Sequence, residues 1–247
     1  GHCSSADALE MFKHRPPLNC DLTATDVRNA SAVWGATTTA SLKGKTRKLK
    51  SAQAGVVLVP RVTQEAQWME VDIFFIKKIP FLLGLMLPVG LSMCAYLKTR
   101  NVEAVSTGIR HFLGLARSRG YEVTELRCDG EKSVASMTDA LGNEGINFEP
   151  AGPGQHVPHV ENKIKTIKER VRAHDNSLPF VMTKILLIMC VLFCVSRINW
   201  MPSKSQVDRM PPMEQFSGRQ FDAKRDMKCP FGSYVQATVP MTDNTMS

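Results

Sequence analysis

Residues 79–97 constrain the fold of this chain most strongly, because they form a segment of 19 residues without a charge. They read IPFLLGLMLPVGLSMCAYL, which is about the length that a helix needs to span a bilayer, so a transmembrane helix is one interpretation. Pro88 and Gly90 lie in the middle, however, and a Pro/Gly turn between two short apolar runs is also typical of a buried β-hairpin. We favour the hairpin, which would place two apolar strands inside a sheet.

The spacing of apolar residues predicts the other elements. Strand-like runs cover residues 67–78, 121–128 and, briefly, 146–148, and helical spacing covers residues 101–119, 131–143 and 157–174. A second apolar run, residues 185–195, is too short to cross a membrane and predicts a core helix. The order of three strands, helix, strand, helix, short strand and two helices predicts an α/β fold, with helices packed on the faces of a mixed five-stranded sheet.

Composition divides the chain into three regions. Residues 65–200 hold these elements and are expected to form the core domain, for which a chain of 247 residues is long enough. Residues 1–64 are expected to be a linker region, in which residues 25–34 predict a short helix capped by Thr23 or Thr25. Residues 201–247 are polar and rich in proline, and an irregular extension is expected there.

Positive charge is in excess, with 31 Lys and Arg against 23 Asp and Glu, a net charge of +8. This favours a polyanionic partner, although a basic soluble protein without one has the same balance. A run of five positive charges in residues 41–50 includes Lys43, Lys45 and Arg47. Such a run is typical of a solvated linker, and an arm that contacts phosphates is the alternative.

The seven cysteines are scattered without a CxxC pair, which argues against a disulfide-stapled secreted protein and indicates a reducing compartment. The chain opens on Gly1 without a secretory signal pattern, and we expect it to be cut from a longer product and to stay inside the cell. His2, Cys3, His14 and Cys20 have the chemistry of zinc ligands, but their spacing matches no familiar zinc site.

Three acids are candidates for metal-assisted chemistry. Asp72 lies within an apolar strand, where an unpaired carboxylate is costly. Asp129 ends a strand before Gly130, which permits close approach of a phosphate backbone, and Glu161 opens a helix. Each has an ordinary alternative: a strand ion pair for Asp72, a turn or N-cap for Asp129, and a first-turn acid favoured by the helix dipole for Glu161. Together, separated by 56 and 31 residues, they form a rarer pattern.

This order resembles the D, D, E signature of retroviral and retrotransposon integrases, and further segments resemble the copia-type integrases. They are HVPHVENKIKTIKERVRAH at 156–174, SLPFVMTKILLIMCVLFCVSRINWMPS at 177–203, Pro212 to Arg219, and Phe231-Gly232. The resemblance covers about residues 65–240 and implies a ribonuclease-H-like core from a Gag-Pol polyprotein. Asp129-Gly130-Glu131-Lys132 departs from the family's usual D-N-G-x-E-F, and residues 1–64 would be a degenerate pre-integrase region.

The resemblance implies that Asp72, Asp129 and Glu161 bind two divalent ions, Mg²⁺ or Mn²⁺. Such ions, about 4 Å apart, clamp the attacking and leaving oxygens of a phosphodiester. The activity would be trimming of the element's 3′ end followed by strand transfer into target DNA. The expected partners are both DNAs and further copies of the chain, without a membrane, in the nucleus or in a cytoplasmic particle.

Basic residues follow Glu161 at helical spacing. Lys165, Lys168 and Arg172 lie four, seven and eleven residues on, along the same helix face. A solvated basic face is one interpretation. The resemblance favours contacts with the element's DNA end, to which Lys163 on a flanking face could add.

Three alternatives remain open at this stage. The chain could be a decayed or domesticated integrase that binds DNA without catalysis, a membrane protein anchored by residues 79–97, or a ribonuclease H. The last needs a fourth acid, for which Glu131 is the candidate. His156 and His159 lie near Glu161 and could position a substrate, although loop histidines are often incidental.

Overall fold

The computed structural model describes residues 4–35, 67–129, 142–151, 157–202 and 209–235. Its five strands are β1 (Gln67–Ile76), β2 (Ile79–Leu87), β3 (Leu91–Tyr96), β4 (Val123–Asp129) and β5 (Asn147–Ala151). They form one sheet in the order β3-β2-β1-β4-β5. The first three strands are antiparallel neighbours, and β4 and β5 continue the sheet parallel to β1. This is the mixed five-stranded sheet that the sequence predicts.

The uncharged segment 79–97 forms strands β2 and β3, so the hairpin prediction is confirmed. The turn falls at Pro88 to Gly90, and Gly90 has a φ of +78°, a conformation that glycine adopts without strain. The preceding turn uses Lys77 and Lys78 at φ values of +47° and +67°, although neither is a residue that favours such angles. Across the described ranges, the structure contains no helix both long and apolar enough to cross a membrane.

Among the described residues, seven named helices surround the sheet or lie in two arms, residues 4–35 and 209–235. They are α1 (Ser5–His14), α2 (Ala24–Trp34), α3 (Val102–Arg117), α4 (Pro158–Ser177), α5 (Lys184–Asn199), α6 (Pro212–Ser217) and α7 (Ala223–Asp226). Helix α2 confirms the predicted N-terminal helix, with Thr23 and Asp26 forming a reciprocal capping box. Helices α3, α4 and α5 confirm three of the predicted core helices, and most of the predicted helix 131–143 lies outside the described residues.

Both faces of the sheet are covered by apolar layers. Side chains alternate along β2, so that Leu82 and Met86 join the layer with α3, whereas Phe81, Leu83 and Leu85 join the layer with α4 and α5. This explains why β2 is apolar at every position instead of alternating with polar residues.

The two arms contain short helices and contact each other. Leu18 forms a backbone bridge with Asp222, and Arg15 pairs with Glu214 at 3.4 Å. Met11 packs with Trp200 and Phe221 in a third apolar cluster. The segment that begins at Pro212 is therefore part of the folded unit, because it covers the end of α5.

Asn199, the last residue of α5, covers the outer edge of the sheet. Its side-chain oxygen accepts from the Ser92 backbone N–H at 2.9 Å, and its amide nitrogen donates to the Ser92 carbonyl at 2.7 Å. The side chain thus satisfies both backbone groups of edge strand β3 at this residue, as another strand would.

We predict that Asn199→Ala lowers the free energy of unfolding by about 2 to 4 kcal/mol, because it leaves two buried backbone groups without partners. Ser196→Ala, at an exposed site on the same helix, is the matched control and should change little. Urea denaturation followed by circular dichroism measures both. Equal stability of the two variants would contradict the edge-capping role.

His174 lies in the last turn of α4, between the rings of Phe193 and Phe231 at centroid distances of 5.6 and 5.7 Å. Burial lowers the pKa of His174 from 6.5 to about 4, and the positive charge of Arg170 adds to this effect. Because the unfolded chain binds the proton more tightly than the folded chain does, protonation opposes folding.

We therefore predict that His174 lowers the free energy of unfolding as the pH falls from 6.5 towards 4. The loss is at most about 3 kcal/mol, and it is complete once His174 is protonated in the folded chain as well. His174→Gln should remove this part of the acid sensitivity, and His111→Gln, at an exposed site on α3, is the matched control. The measurement is the free energy of unfolding at a series of pH values. If His174→Gln kept the wild-type pH dependence, the prediction would be wrong.

Candidate active site

Two of the three predicted acids lie on neighbouring parallel strands. The register of β1 with β4 pairs Val71 with Cys128. Asp72 and Asp129 are the next residues along these strands, and Asp129 is the last residue of β4. Paired strands lie about 4.8 Å apart, so the backbone brings the two aspartate positions next to each other.

Asp72 belongs to the sheet face that α4 covers. Side chains alternate along a strand, so Glu70, Asp72 and Phe74 share one face. Phe74 packs in the layer with α4 and α5, whereas Val71 and Ile73 pack in the layer with α3. Asp72 is half-buried, and it therefore stands at the boundary between this apolar layer and solvent.

The start of α4 is capped by a residue from strand β1. The N-cap residue Val157 makes no side-chain hydrogen bond, and Pro158 follows as the first helical residue. Glu70, which is 2% exposed, supplies the missing acceptor. One of its carboxylate oxygens accepts from the Val160 N–H at 2.9 Å, and the other lies 2.7 Å from Nδ1 of His159. A carboxylate at this position also interacts favourably with the helix dipole.

The third acid, Glu161, directly follows Val160 and is half-buried in the first turn of α4. At the other end of the helix, Asp175 pairs with Lys77 at 2.8 Å. Glu70 and Lys77 are separated by about 23 Å of strand, and Val160 and Asp175 by about 22 Å of helix. Helix α4 therefore runs alongside β1, and its first turn lies near the sheet face that carries Asp72.

The backbone of Asp129 thus lies next to that of Asp72 in the sheet, and the turn that carries Glu161 is bound to the same strand as Asp72. The Asp129 side chain lies outside the described residues. Among the side chains that are described, no three His, Cys, Asp or Glu residues form a group that could hold a metal ion. The chemistry of the donor set nevertheless fits Mg²⁺ or Mn²⁺, because Asp72, Asp129 and Glu161 offer only carboxylate oxygens.

The predicted basic residues of α4 differ in their surroundings. Lys165 and Arg172 are exposed, and Lys168 is half-buried. Burial lowers the pKa of Lys163, and the positive charge of Arg170 lowers it further. Lys163 is half-buried and therefore less accessible to phosphate than the exposed Lys165. The other predicted DNA contacts, Lys43, Lys45 and Arg47, lie outside the described residues.

Of the four N-terminal residues with zinc-ligand chemistry, the structure describes two. His14 pairs with Glu10 on α1 at 3.4 Å, and Cys20 is a free thiol. His2 and Cys3 lie outside the described residues.

Glu70 was not predicted as a site residue, and His159 was considered only as a possible substrate-positioning residue. The sequence contains a signal for Glu70: it is a second acid within an apolar strand, two residues before Asp72 and hence on the same face. A buried carboxylate needs compensating hydrogen bonds. Its partners are 89 and 90 residues away along the chain, however, so the sequence alone did not identify them.

Two solved structures resemble this fold. The catalytic core domain of BIV integrase is 14% identical, with a TM-score of 0.47, over 63% of this chain and 95% of that one. The HTLV-2 integrase catalytic core domain, solved in complex with magnesium in a trimeric form, is 12% identical, with a TM-score of 0.45, over 62% and 96%. No family model matches the chain, and no curated protein matches it. At such low identity, neither structure identifies a function for this chain.

Proposed function

We propose that this protein is an integrase of a copia-type retrotransposon, a polynucleotidyl transferase that trims the 3′ ends of element DNA and joins them to target DNA. The observation that carries the proposal is the contact between Glu70 and the first turn of α4. It ties the helix that bears Glu161 to the strand that bears Asp72, whose neighbour in the sheet is Asp129. This supports a site in which three acids remote in sequence would act together.

Asp72, Asp129 and Glu161 would hold divalent metal, Mg²⁺ or Mn²⁺, with two ions expected. When bound, the metal supplies electrostatic stabilisation to the attacking and leaving oxygens of a phosphodiester. The protein's own part is to present carboxylate oxygens without a competing soft ligand. The contact of Glu70 with the first turn of α4 would keep Glu161 in place beside the sheet.

Exposed positive charge on α4 supports DNA as the partner. Lys165 and Arg172 continue from Glu161 along the helix, and the chain carries a net charge of +8. A metal site and a basic stripe on one helix would place the reacting phosphate and its neighbouring phosphates together. We further propose that the protein acts as a homo-oligomer, since two DNA ends must be joined. It would act in the nucleus or in a cytoplasmic particle, after release from a Gag-Pol polyprotein.

We predict that Asp72→Asn and Glu161→Gln each abolish strand transfer in Mg²⁺ or Mn²⁺ while DNA binding remains, because each removes an anionic ligand and leaves the basic face intact. Glu103→Gln, at an exposed acid on α3, is the matched control and should keep wild-type activity. The assay joins a labelled oligonucleotide end to target DNA.

Two outcomes of the strand-transfer assay and of a hybrid-cleavage assay would contradict the proposal. A wild-type chain that binds DNA but transfers no strand with either metal would be a decayed or domesticated integrase. Cleavage of RNA–DNA hybrids without joining of DNA ends would instead identify a ribonuclease H.

We also predict that Lys165→Ala weakens DNA binding and lowers the slope of log K against log salt by about 1, the expected effect of losing one phosphate contact. Lys98→Ala, at an exposed lysine beyond the end of β3, is the matched control and should leave the slope unchanged. Fluorescence anisotropy over a series of salt concentrations measures the slope. Equal slopes for both variants would show that the exposed face of α4 does not contact DNA.

A further inference from the structure

Glu70 is a buried acid in the candidate site that belongs to none of the three predicted metal-ligand positions. Its side chain is 2% exposed, whereas Asp72, on the same face of β1, is half-buried. Both of its carboxylate oxygens are engaged, one by the Val160 N–H and one by the His159 ring. A carboxylate with both oxygens engaged is poorly suited to be a further metal ligand. The role of Glu70 therefore depends on the residues that it contacts, His159 and Val160.

What Glu70 holds is the residue pair directly before Glu161. The backbone N–H of Glu161 in turn donates to the carbonyl of Val157 at 3.2 Å, which closes the first turn of the helix. Because Val157 provides no side-chain cap, Glu70 is the cap of this turn. The position of Glu161 relative to strand β1 is therefore set two residues from Asp72 along that strand.

We propose that Glu70 is a positioning residue for metal binding: it fixes the first turn of α4 against β1 so that Glu161 and Asp72 can share a metal. This inference rests on the proposed function. It requires hydrogen bonding by residue 70 and not its negative charge. A glutamine there could accept from Val160 through its amide oxygen and donate to Nδ1 of His159 through its amide nitrogen.

The test is the binding of Mn²⁺ to the full chain without DNA, measured by electron paramagnetic resonance. Thermal melting checks that each variant is folded. Glu70→Leu should weaken Mn²⁺ binding by about 10- to 100-fold, as the loss of other groups that orient metal ligands does. Glu70→Gln should restore binding to within about threefold of wild type. Lys77→Met, which breaks the exposed ion pair at the far end of α4, is the matched control and should bind as wild type does.

Three results would overturn the inference, the third of them in the case that Glu70→Leu does not fold. Wild-type binding by a folded Glu70→Leu would show that the cap does not position Glu161. Equal weakening by Glu70→Gln and Glu70→Leu would show that the charge itself matters, as for a metal ligand. If Glu70→Leu does not fold, His159→Ala decides, because it removes one contact from a side chain that is 53% exposed. It should weaken binding by about three- to tenfold, and unchanged binding would overturn the inference.

Failure of the proposed function gives a different result. If wild type does not bind Mn²⁺, or if Asp72→Asn binds as wild type does, the metal site is absent and both proposals fail. If Asp72→Asn abolishes binding and Glu70→Leu does not alter it, only the role of Glu70 is wrong.

Discussion

Burial of strand β2 on both faces is the constraint on which the rest of the structure depends. Its side chains enter an apolar layer on each side, so that α3 must cover one face and α4 with α5 the other. Strand β1 pairs with β2 from Trp68 to Ile76 and thus extends both layers. A polar group on β1 is tolerated only where a partner or solvent reaches it. Glu70 meets this condition by capping α4, and Asp72 meets it by lying at the half-buried boundary.

Two segments on which the sequence-based prediction rested have structural roles in this chain. Asn199, near the end of the apolar segment 177–203, covers the edge of β3. Arg219, in the segment that begins at Pro212, stacks over the ring of Trp200 at 4.8 Å and pairs with Asp226 at 2.8 Å. These contacts close the end of α5 against the arms. Both segments therefore help to close the core.

The parts of the fold that could be predicted from sequence are those determined by nearby residues. The hairpin at Pro88 and the helix with Glu161 follow from local periodicity and from turn residues, and the structure confirms both. The turn at Lys77 contains no glycine or asparagine that would indicate it in the sequence. Its positive φ values are imposed by the pairing of β1 with β2. The three acids were predicted from their order and spacing, whereas Glu70 was not predicted, because its partners lie on a distant helix.

A cap supplied by the sheet has a consequence that a local cap would not have. A serine or aspartate at the position of Val157 could stabilise the first turn of α4 even in the unfolded chain. With Glu70 as the cap, that turn gains its acceptor only when α4 is packed against β1. Formation of the turn, burial of Glu70 and the docking of the turn that carries Glu161 are therefore coupled to one packing event. The region that holds the candidate ligands is thus assembled by the same contacts that stabilise the core.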